Sequence, residues 1–286
     1  MTDFSFRSET GRLTDVLLCR PDHYRWIPTN AIAVETLAGG HAVDLAVAAA
    51  QHAELVDALT GAGVACHFLE PEPHLPYQVY TRDSSQLTPW GPVITQLRMP
   101  QRWGEYASVL AFYEAAGQPV WRFATHGTIE GGDIALVRPG LALVGCSGVR
   151  TDLDGARQFA GWLEAEDWEV VVVPFAEHFL HLDLLFCMAA EGLAVACLDV
   201  LDGALVDRLR AEGLTLVPIS YKEAMALSGN VLALGGHRVV SARRAAGLNA
   251  RLRAEGLTVL DPELDAFTRG GGGVHCLTMP LRQAGG

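Results

Sequence analysis

Two hydrophobic rhythms alternate along the chain. Apolar residues recur at helical spacing over 43–59, 105–115, 153–165, 204–211 and 245–254. Each stretch is followed by a short β-rich run, at 64–69, 119–123, 170–173, 214–219 and 257–260. The joints are Gly61-Ala-Gly63, Ala116-Gly117, Glu166-Asp167, Glu212-Gly213 and Glu255-Gly256. A glycine just past the last turn ends a helix because it enters the left-handed backbone region without a Cβ clash. Between each β-run and the next helix the pattern predicts a further strand or hairpin. Examples are 134–137 turning at Pro139-Gly140 into 141–144, and 231–234 turning at Gly235-Gly236 into 238–241.

The unit strand–strand–helix–strand therefore recurs five times, about every 43 to 54 residues. A helix in every unit excludes an all-β propeller, and five copies predict an α/β fold closed around an axis. A three-layer α/β protein with similar-looking units is the alternative. No Pro- or Ser-rich linker and no shift of composition divides the chain, so a single domain over 1–286 is expected.

Composition narrows the function classes. With 286 residues, half of them hydrophobic, the chain can bury a large core. The net charge of −12 and the lack of any basic run argue against nucleic acid and against an anionic membrane surface. The first ten residues lack the pattern of a secretory signal, and no apolar run approaches the roughly 18 residues of a membrane span. A cytoplasmic location is expected. Cys19, Cys66, Cys146, Cys187, Cys197 and Cys276 are scattered without a CxxC pair, which reads as reduced thiols. Most sit in apolar runs as small core residues; Cys276 does not.

Reactive residues concentrate in four segments: Tyr80-Thr-Arg-Asp83, Glu130-Gly-Gly-Asp133, His181-Leu-Asp183 and Gly270-Gly-Gly-Gly-Val-His-Cys276. Four glycines before His275-Cys276 clear side chains from around one thiol and permit positive φ and close approach of a ligand. A thiol among carboxylates is a poor nucleophile for esters or amides, because negative neighbours raise its pKa. The set makes sense for a cationic substrate. A guanidinium has five N–H donors for carboxylates to grip, and its charge favours a thiolate beside it. A zinc site from His178, His181, Asp183 and Cys276 is the rival, disfavoured because His178 and His181 stand three apart in a β or turn segment. No metal and no cofactor is expected.

Arg82-Asp83, Glu130-Gly-Gly-Asp133, His181-Leu-Asp183 and Gly272-Gly273-Val-His-Cys276, in that order, resemble the guanidine-modifying superfamily of arginine deiminases, dimethylarginine dimethylaminohydrolases, agmatine deiminases and amidinotransferases. The resemblance runs from about Asp15 to Leu281. It implies a five-bladed ββαβ propeller, the pentein fold, with pseudo-fivefold symmetry. It also implies Cys276 as nucleophile, His181 as general acid and base, and Glu130, Asp83 and Asp183 as holders of the guanidinium nitrogens. Arg102 in Arg102-Trp-Gly-Glu105 and Arg150 in Arg150-Thr151 match positions that clamp an α-carboxylate in the compact dimethylarginine hydrolases. The chain lacks the inserted helical subdomain of typical arginine deiminases and has Tyr77 where they have Asn. The dimethylarginine hydrolases lack a second acid at the position of Asp183, and amidinotransferases usually carry Asp at the position of Glu130. The implied activity is hydrolysis of arginine or an Nω-substituted arginine through a covalent thiouronium. Transfer of the amidino group to an amine, and a catalytically silent guanidine-binding protein, are the alternatives. The expected partner is a small guanidine compound, and a homo-oligomer is compatible with the chain.

Overall fold

The computed structural model describes residues 4–284. Its helices start and stop where side-chain chemistry directs. Asp44, Asp152 and Asp202 cap helices by accepting backbone N–H groups of the first turn. At the far ends, Gly63, Gly117, Gly213 and Gly256 take positive φ, and Asp167 (φ 61°) does the same at the one joint without glycine.

The chain opens with β1 (Leu13–Cys19), α1 (Ala31–Ala38), α2 (Leu45–Gly61) and β2 (Ala65–Leu69). A second unit comprises β3 (Ser85–Thr88), β4 (Gly91–Ile94), α3 (Glu105–Ala115) and β5 (Arg122–Phe123). The third is β6 (Ile134–Arg138), β7 (Leu141–Cys146), α4 (Leu153–Glu164) and β8 (Glu169–Pro174). The fourth is β9 (Phe186–Ala190), β10 (Leu193–Cys197), α5 (Gly203–Ala211) and β11 (Thr215–Ile219), with a short α6 (Tyr221–Met225) after it. The fifth is β12 (Leu232–Gly235), β13 (Arg238–Val240), α7 (Ala246–Ala254) and β14 (Thr258–Leu260). α8 (Asp265–Thr268) and β15 (Met279–Gln283) follow.

Each unit builds one three-stranded sheet. In four of them the first strand runs antiparallel to the second, and the second is parallel to the third across the connecting helix. The remaining sheet takes its first strand from the other end of the chain. β15 lies antiparallel to β1, with Val16 opposite Pro280 and Leu17 opposite Met279, and β1 pairs in parallel with β2. Neighbouring units meet through these inner strands: β15 with β3, β1 with β12, β12 with β9, and β9 with β6.

The expected repeat is present, with local differences. The run expected at 119–123 is a strand only at Arg122–Phe123, because Pro119 and Pro92 remove ladder donors from facing strands. Every residue of β9 and β10 is buried, so these strands read as continuous apolar runs rather than alternating ones. Among the described residues no helix is long and apolar enough to cross a membrane.

Candidate active site

The reactive segments share one place in the repeat, the turn that enters the first strand of a unit. Arg82-Asp83 precedes β3, Glu130–Asp133 abuts β6, His181–Asp183 precedes β9, and Val274-His275-Cys276 precedes β15. The fifth turn, before β12, carries Asn230. All five segments are buried and meet in one pocket region. Asp83, Arg102, Arg150, His181 and Cys276 line it together with Asn30, Tyr77, Tyr80 and the glycine run.

One wall is an ion cluster around His181. Its Nε2 lies 2.7 Å from Glu130 Oε2, and its Nδ1 is 3.8 Å from Asp83 Oδ1. Arg150 Nη1 stands 3.7 Å from Glu130 Oε2, and the backbone N–H of Arg98 donates to the other Glu130 oxygen at 3.0 Å. Burial works against charge on both partners. For Glu130 it is outweighed by Arg150, His181 and Arg102, which hold the carboxyl far below its ordinary range. For His181 it is outweighed by Asp83, Asp133 and Glu130, which push the imidazole up to about 10. The pair is an imidazolium beside a carboxylate at neutral pH. Asp133 is pushed up to about 7 by burial, and one of its oxygens accepts the Leu182 N–H at 2.8 Å.

Asp83 is held from two sides. Gly132 N–H donates to Oδ1 at 3.0 Å, and Arg102 Nη1 donates to Oδ2 at 2.7 Å. Arg102 in turn makes a bidentate pair with Glu105, both bonds 2.8 Å, and reaches the Tyr80 carbonyl at 3.2 Å. A single Nη1 hydrogen stays uncommitted. Gly132 is needed here for space, since a Cβ would stand 2.7 Å from His181 Nδ1 and 3.0 Å from Asp83 Oδ1.

The opposite wall carries the thiol. Cys276 Sγ donates to Asp183 Oδ2 at 3.3 Å, and the same oxygen meets His275 Nδ1 at 2.9 Å. Asn230 binds this corner through its whole amide. Its Oδ1 accepts the backbone N–H groups of His275 (2.9 Å) and Cys276 (3.3 Å), and its Nδ2 donates to Cys276 Sγ (3.4 Å) and the Asp183 carbonyl (3.3 Å). Burial, then Asp183 and Asp83, push the thiol well above its ordinary range. Asp183 Oδ1 is buried without a hydrogen-bond partner among the described residues.

The glycine run does less by backbone freedom than its sequence suggests. Of the four, only Gly271 has positive φ, at 101°. Gly272 is required by contact, because a Cβ there would overlap the Tyr80 ring. The run is covered by the segment before α1. Asn30 Nδ2 donates to the Gly270 carbonyl (3.1 Å), Trp26 Nε1 to the Ala266 carbonyl (2.9 Å), and Arg150 Nη2 to the Thr29 carbonyl (2.9 Å). Tyr77 Oη accepts the Ile27 N–H at 2.9 Å and donates to the Ile27 carbonyl at 2.8 Å. The pocket beneath is narrow and partly open, with about 10 Å³ of room, on the scale of a single water. Residues 24–30 thus lie over the glycine run as a lid.

The structure gathers every site residue expected from sequence: Cys276, His181, Glu130, Asp83, Asp183, Arg102 and Arg150. The zinc set dissolves, because His178 is exposed while His181, Asp183 and Cys276 are buried. Asp83, Glu130 and His181 do bring one ligand-type atom each within 4.8 Å of one another. With Arg102 on Asp83, Arg150 near Glu130, and His181 Nε2 committed to Glu130, these residues already balance one another's charge and do not fit a divalent ion. Asn230, His275, Glu9 and Glu105 were not anticipated as parts of the site. Asn230 had a usable signal, since four of five equivalent turns carried chemistry and the fifth had to face the same centre.

Residues 29–283 match the family model described as N,N dimethylarginine dimethylhydrolase, eukaryotic. The protein YkgA of Bacillus subtilis is 30% identical over 277 residues, covering 96% of this chain and 94% of its own length. The N(G),N(G)-dimethylarginine dimethylaminohydrolase of Mycobacterium tuberculosis is 27% identical over 84% of this chain and 77% of its own. This chain spans 38% of the bifunctional arginine dihydrolase/ornithine cyclodeaminase AgrE of Nostoc, at 26% identity. Among solved structures, the N-terminal domain of the cyanobacterial arginine dihydrolase ArgZ superposes with TM-score 0.79 at 22% identity, covering 93% of this chain and 96% of that one. The dimethylarginine dimethylaminohydrolase of Pseudomonas aeruginosa superposes with TM-score 0.77 at 22% identity, covering 93% and 98%. The chain belongs to the dimethylarginine dimethylaminohydrolase family of guanidine-modifying enzymes, whose members are hydrolases of guanidino C–N bonds.

Proposed function

We propose that this protein hydrolyses the guanidinium group of arginine or an Nω-substituted arginine, releasing citrulline and ammonia or an alkylamine. The observation that carries the reading is a buried thiol 3.3 Å from Asp183, kept protonated by burial and by the carboxylates around it. Such a thiol is inert until a cation arrives, and a guanidinium supplies that charge where the attack occurs. The unpartnered Asp183 Oδ1 offers an acceptor to its N–H groups, as does Asp83 across the pocket.

With the cation in place, the thiol proton leaves to solvent and the Cys276 thiolate bonds to the guanidinium carbon as the C=N π pair moves onto nitrogen. The His181 imidazolium donates its proton to the departing nitrogen as that C–N bond breaks, leaving a thiouronium on Cys276. His181, now neutral, takes a proton from water as its oxygen attacks the same carbon. The C–S bond then breaks as the hydroxyl proton passes to the departing sulfur, freeing the ureido product and restoring the thiol. Glu130 and Asp133 stabilise the imidazolium through the first half. Arg102 and Arg150, on the pocket lining, are the proposed contacts for an α-carboxylate. The chain acts as one catalytic unit, its five sheets arranged as the blades of a pentein propeller, in the cytoplasm and without metal or cofactor.

The test is turnover. The protein is incubated with arginine, Nω-methylarginine and agmatine, with and without an amine acceptor, and citrulline, ammonia and amine are measured. Wild type should form a covalent adduct, seen as a mass increase after acid quench, and Cys276→Ala should form none and lose turnover while still binding substrate. Full activity in Cys276→Ala, or no turnover of any guanidine, would sink the reading.

A further inference from the structure

A second buried histidine precedes Cys276 and takes no part in the chemistry just proposed. His275 is 4% exposed, and its two ring nitrogens face two different carboxylates. Nδ1 lies 2.9 Å from Asp183 Oδ2, and Nε2 lies 3.5 Å from Glu9 Oε2. A neutral imidazole has one donor and one acceptor nitrogen, so one of these contacts would set a lone pair against a carboxylate. Only the imidazolium turns an N–H toward both, bonding Asp183 and facing Glu9 as an ion pair. Glu9 is faced in turn by Arg82 Nη1 at 3.7 Å. Arg82, Glu9, His275 and Asp183 thus form a buried run of alternating sign that ends on the Cys276 thiol.

We propose that His275 is a positioning residue, an imidazolium that keeps Asp183 ionised and aimed at the sulfur, so that Asp183 always presents acceptors to a cationic substrate. This rests on the proposed guanidine hydrolysis. The groups facing the pair are Glu9 and Arg82 on one side, and Cys276 and the Cys187 thiol, which donates to the Asp183 carbonyl, on the other. His181 and Asp83 complete the surroundings across the pocket. Burial and Arg82 oppose charge on His275, but Asp183 and Glu9 outweigh them and raise it. Burial likewise opposes charge on Asp183, and His275 is the leading influence that lowers it. Without that cation Asp183 would take a proton at higher pH and meet the substrate's N–H donors with a donor of its own.

Two measurements test this. In full-length protein carrying ¹⁵N-labelled histidine, the His275 signals, assigned by their loss in His275→Gln, should report both ring nitrogens protonated at neutral pH. A neutral tautomer there overturns the proposal whatever the substrate. The second is the pH profile of kcat/KM for a guanidine that wild type turns over. His275→Gln keeps a donor to Asp183 but no charge, so its acid limb should move up by about one pH unit. That is about a tenfold loss below the limb, with activity recovering on the alkaline side. Equal loss at every pH with an unmoved limb assigns His275 a merely structural role and overturns the proposal. Should His275→Gln fail to fold, Glu9→Gln, which weakens the same imidazolium, carries the test with a smaller shift in the same direction. If wild type turns over no guanidine, the functional reading fails while the nitrogen signals still decide the charge of His275.

Discussion

Asp183 sets two properties of the site that pull in opposite directions. It adds to burial in opposing ionisation of the Cys276 thiol, and under the proposed function it supplies an acceptor for the guanidinium. Asp183→Asn should therefore lower the pKa of Cys276 and speed its alkylation by iodoacetamide at neutral pH, while turnover of arginine falls. Slower alkylation in the variant would contradict the arrangement. The same acid bears on substrate choice. A dimethylated nitrogen has no N–H for Asp183, and a buried acceptor left without a donor costs roughly 1–3 kcal/mol. Arginine should be the better substrate and asymmetric dimethylarginine the poorer, with the gap narrowing in Asp183→Asn. A wild-type preference for dimethylarginine would remove Asp183 from the substrate's contacts. Agmatine, lacking the α-carboxylate, should lose on the order of 1.5–3 kcal/mol in kcat/KM, about ten- to a hundredfold. Arg102 contributes less to that loss than Arg150, since Glu105, Asp83 and Tyr80 already engage all but one of its donors. Equal rates for agmatine and arginine would make both arginines parts of the wall alone.

Among the elements, the segment ahead of α1 is the one packed over the glycine run beside the site. Asn30 of this segment lines the narrow pocket beside Cys276 and His181, and lifting of residues 24–30 is the expected route of substrate entry. Tyr77 holds Ile27 by two hydrogen bonds. Losing both should favour the open state by ~1–3 kcal/mol. Tyr77→Phe is expected to speed alkylation of Cys276 about tenfold without a matching fall in melting temperature. An unchanged alkylation rate would place the opening elsewhere. The lid also marks where sequence reading stops. The helix-and-stop rhythm of 153–165 or 204–211 is local physics, and α4 and α5 fall within a few residues of it. Motifs such as Glu130-Gly-Gly-Asp133 carry their chemistry in adjacent positions and could be read directly. Asn30 and Glu9 could not, because each is a lone polar residue whose meaning comes from a partner more than 200 positions away, and Asn230 was legible only through its place in the repeat.

At the scale of the whole molecule, the ion cluster links stability to pH. His181 is raised from 6.5 to about 10, so its contribution is complete below pH 6.5 and disappears as pH rises through about 10. Glu130 is lowered from 4.5, so its contribution is present above that pH and is lost on acidification. Asp133, raised from 3.8 to about 7, runs the other way, and its contribution disappears as pH climbs to about 7. Above that point His181 alone of the three still titrates. The melting temperature should fall between pH 7 and 10 in wild type, and the fall should be shallower in His181→Gln. Parallel curves for the two proteins would show that the cluster does not couple to folding.

The pairing of β1 with β15 also has a meaning in time. During synthesis β1 emerges early, yet its antiparallel partner is made only after the four intervening units. Until then that edge of β1 stays unpaired, with donors and acceptors exposed to any other strand. Cys276 is translated three residues before β15 begins, so the reactive sulfur and the strand that seats it leave the ribosome almost together. A nascent chain stalled before that point can hold His181, Glu130 and Asp83 but has neither the proposed nucleophile nor the seam. Under the proposed mechanism, chemistry on guanidines is thereby withheld from every copy that stops short of Cys276.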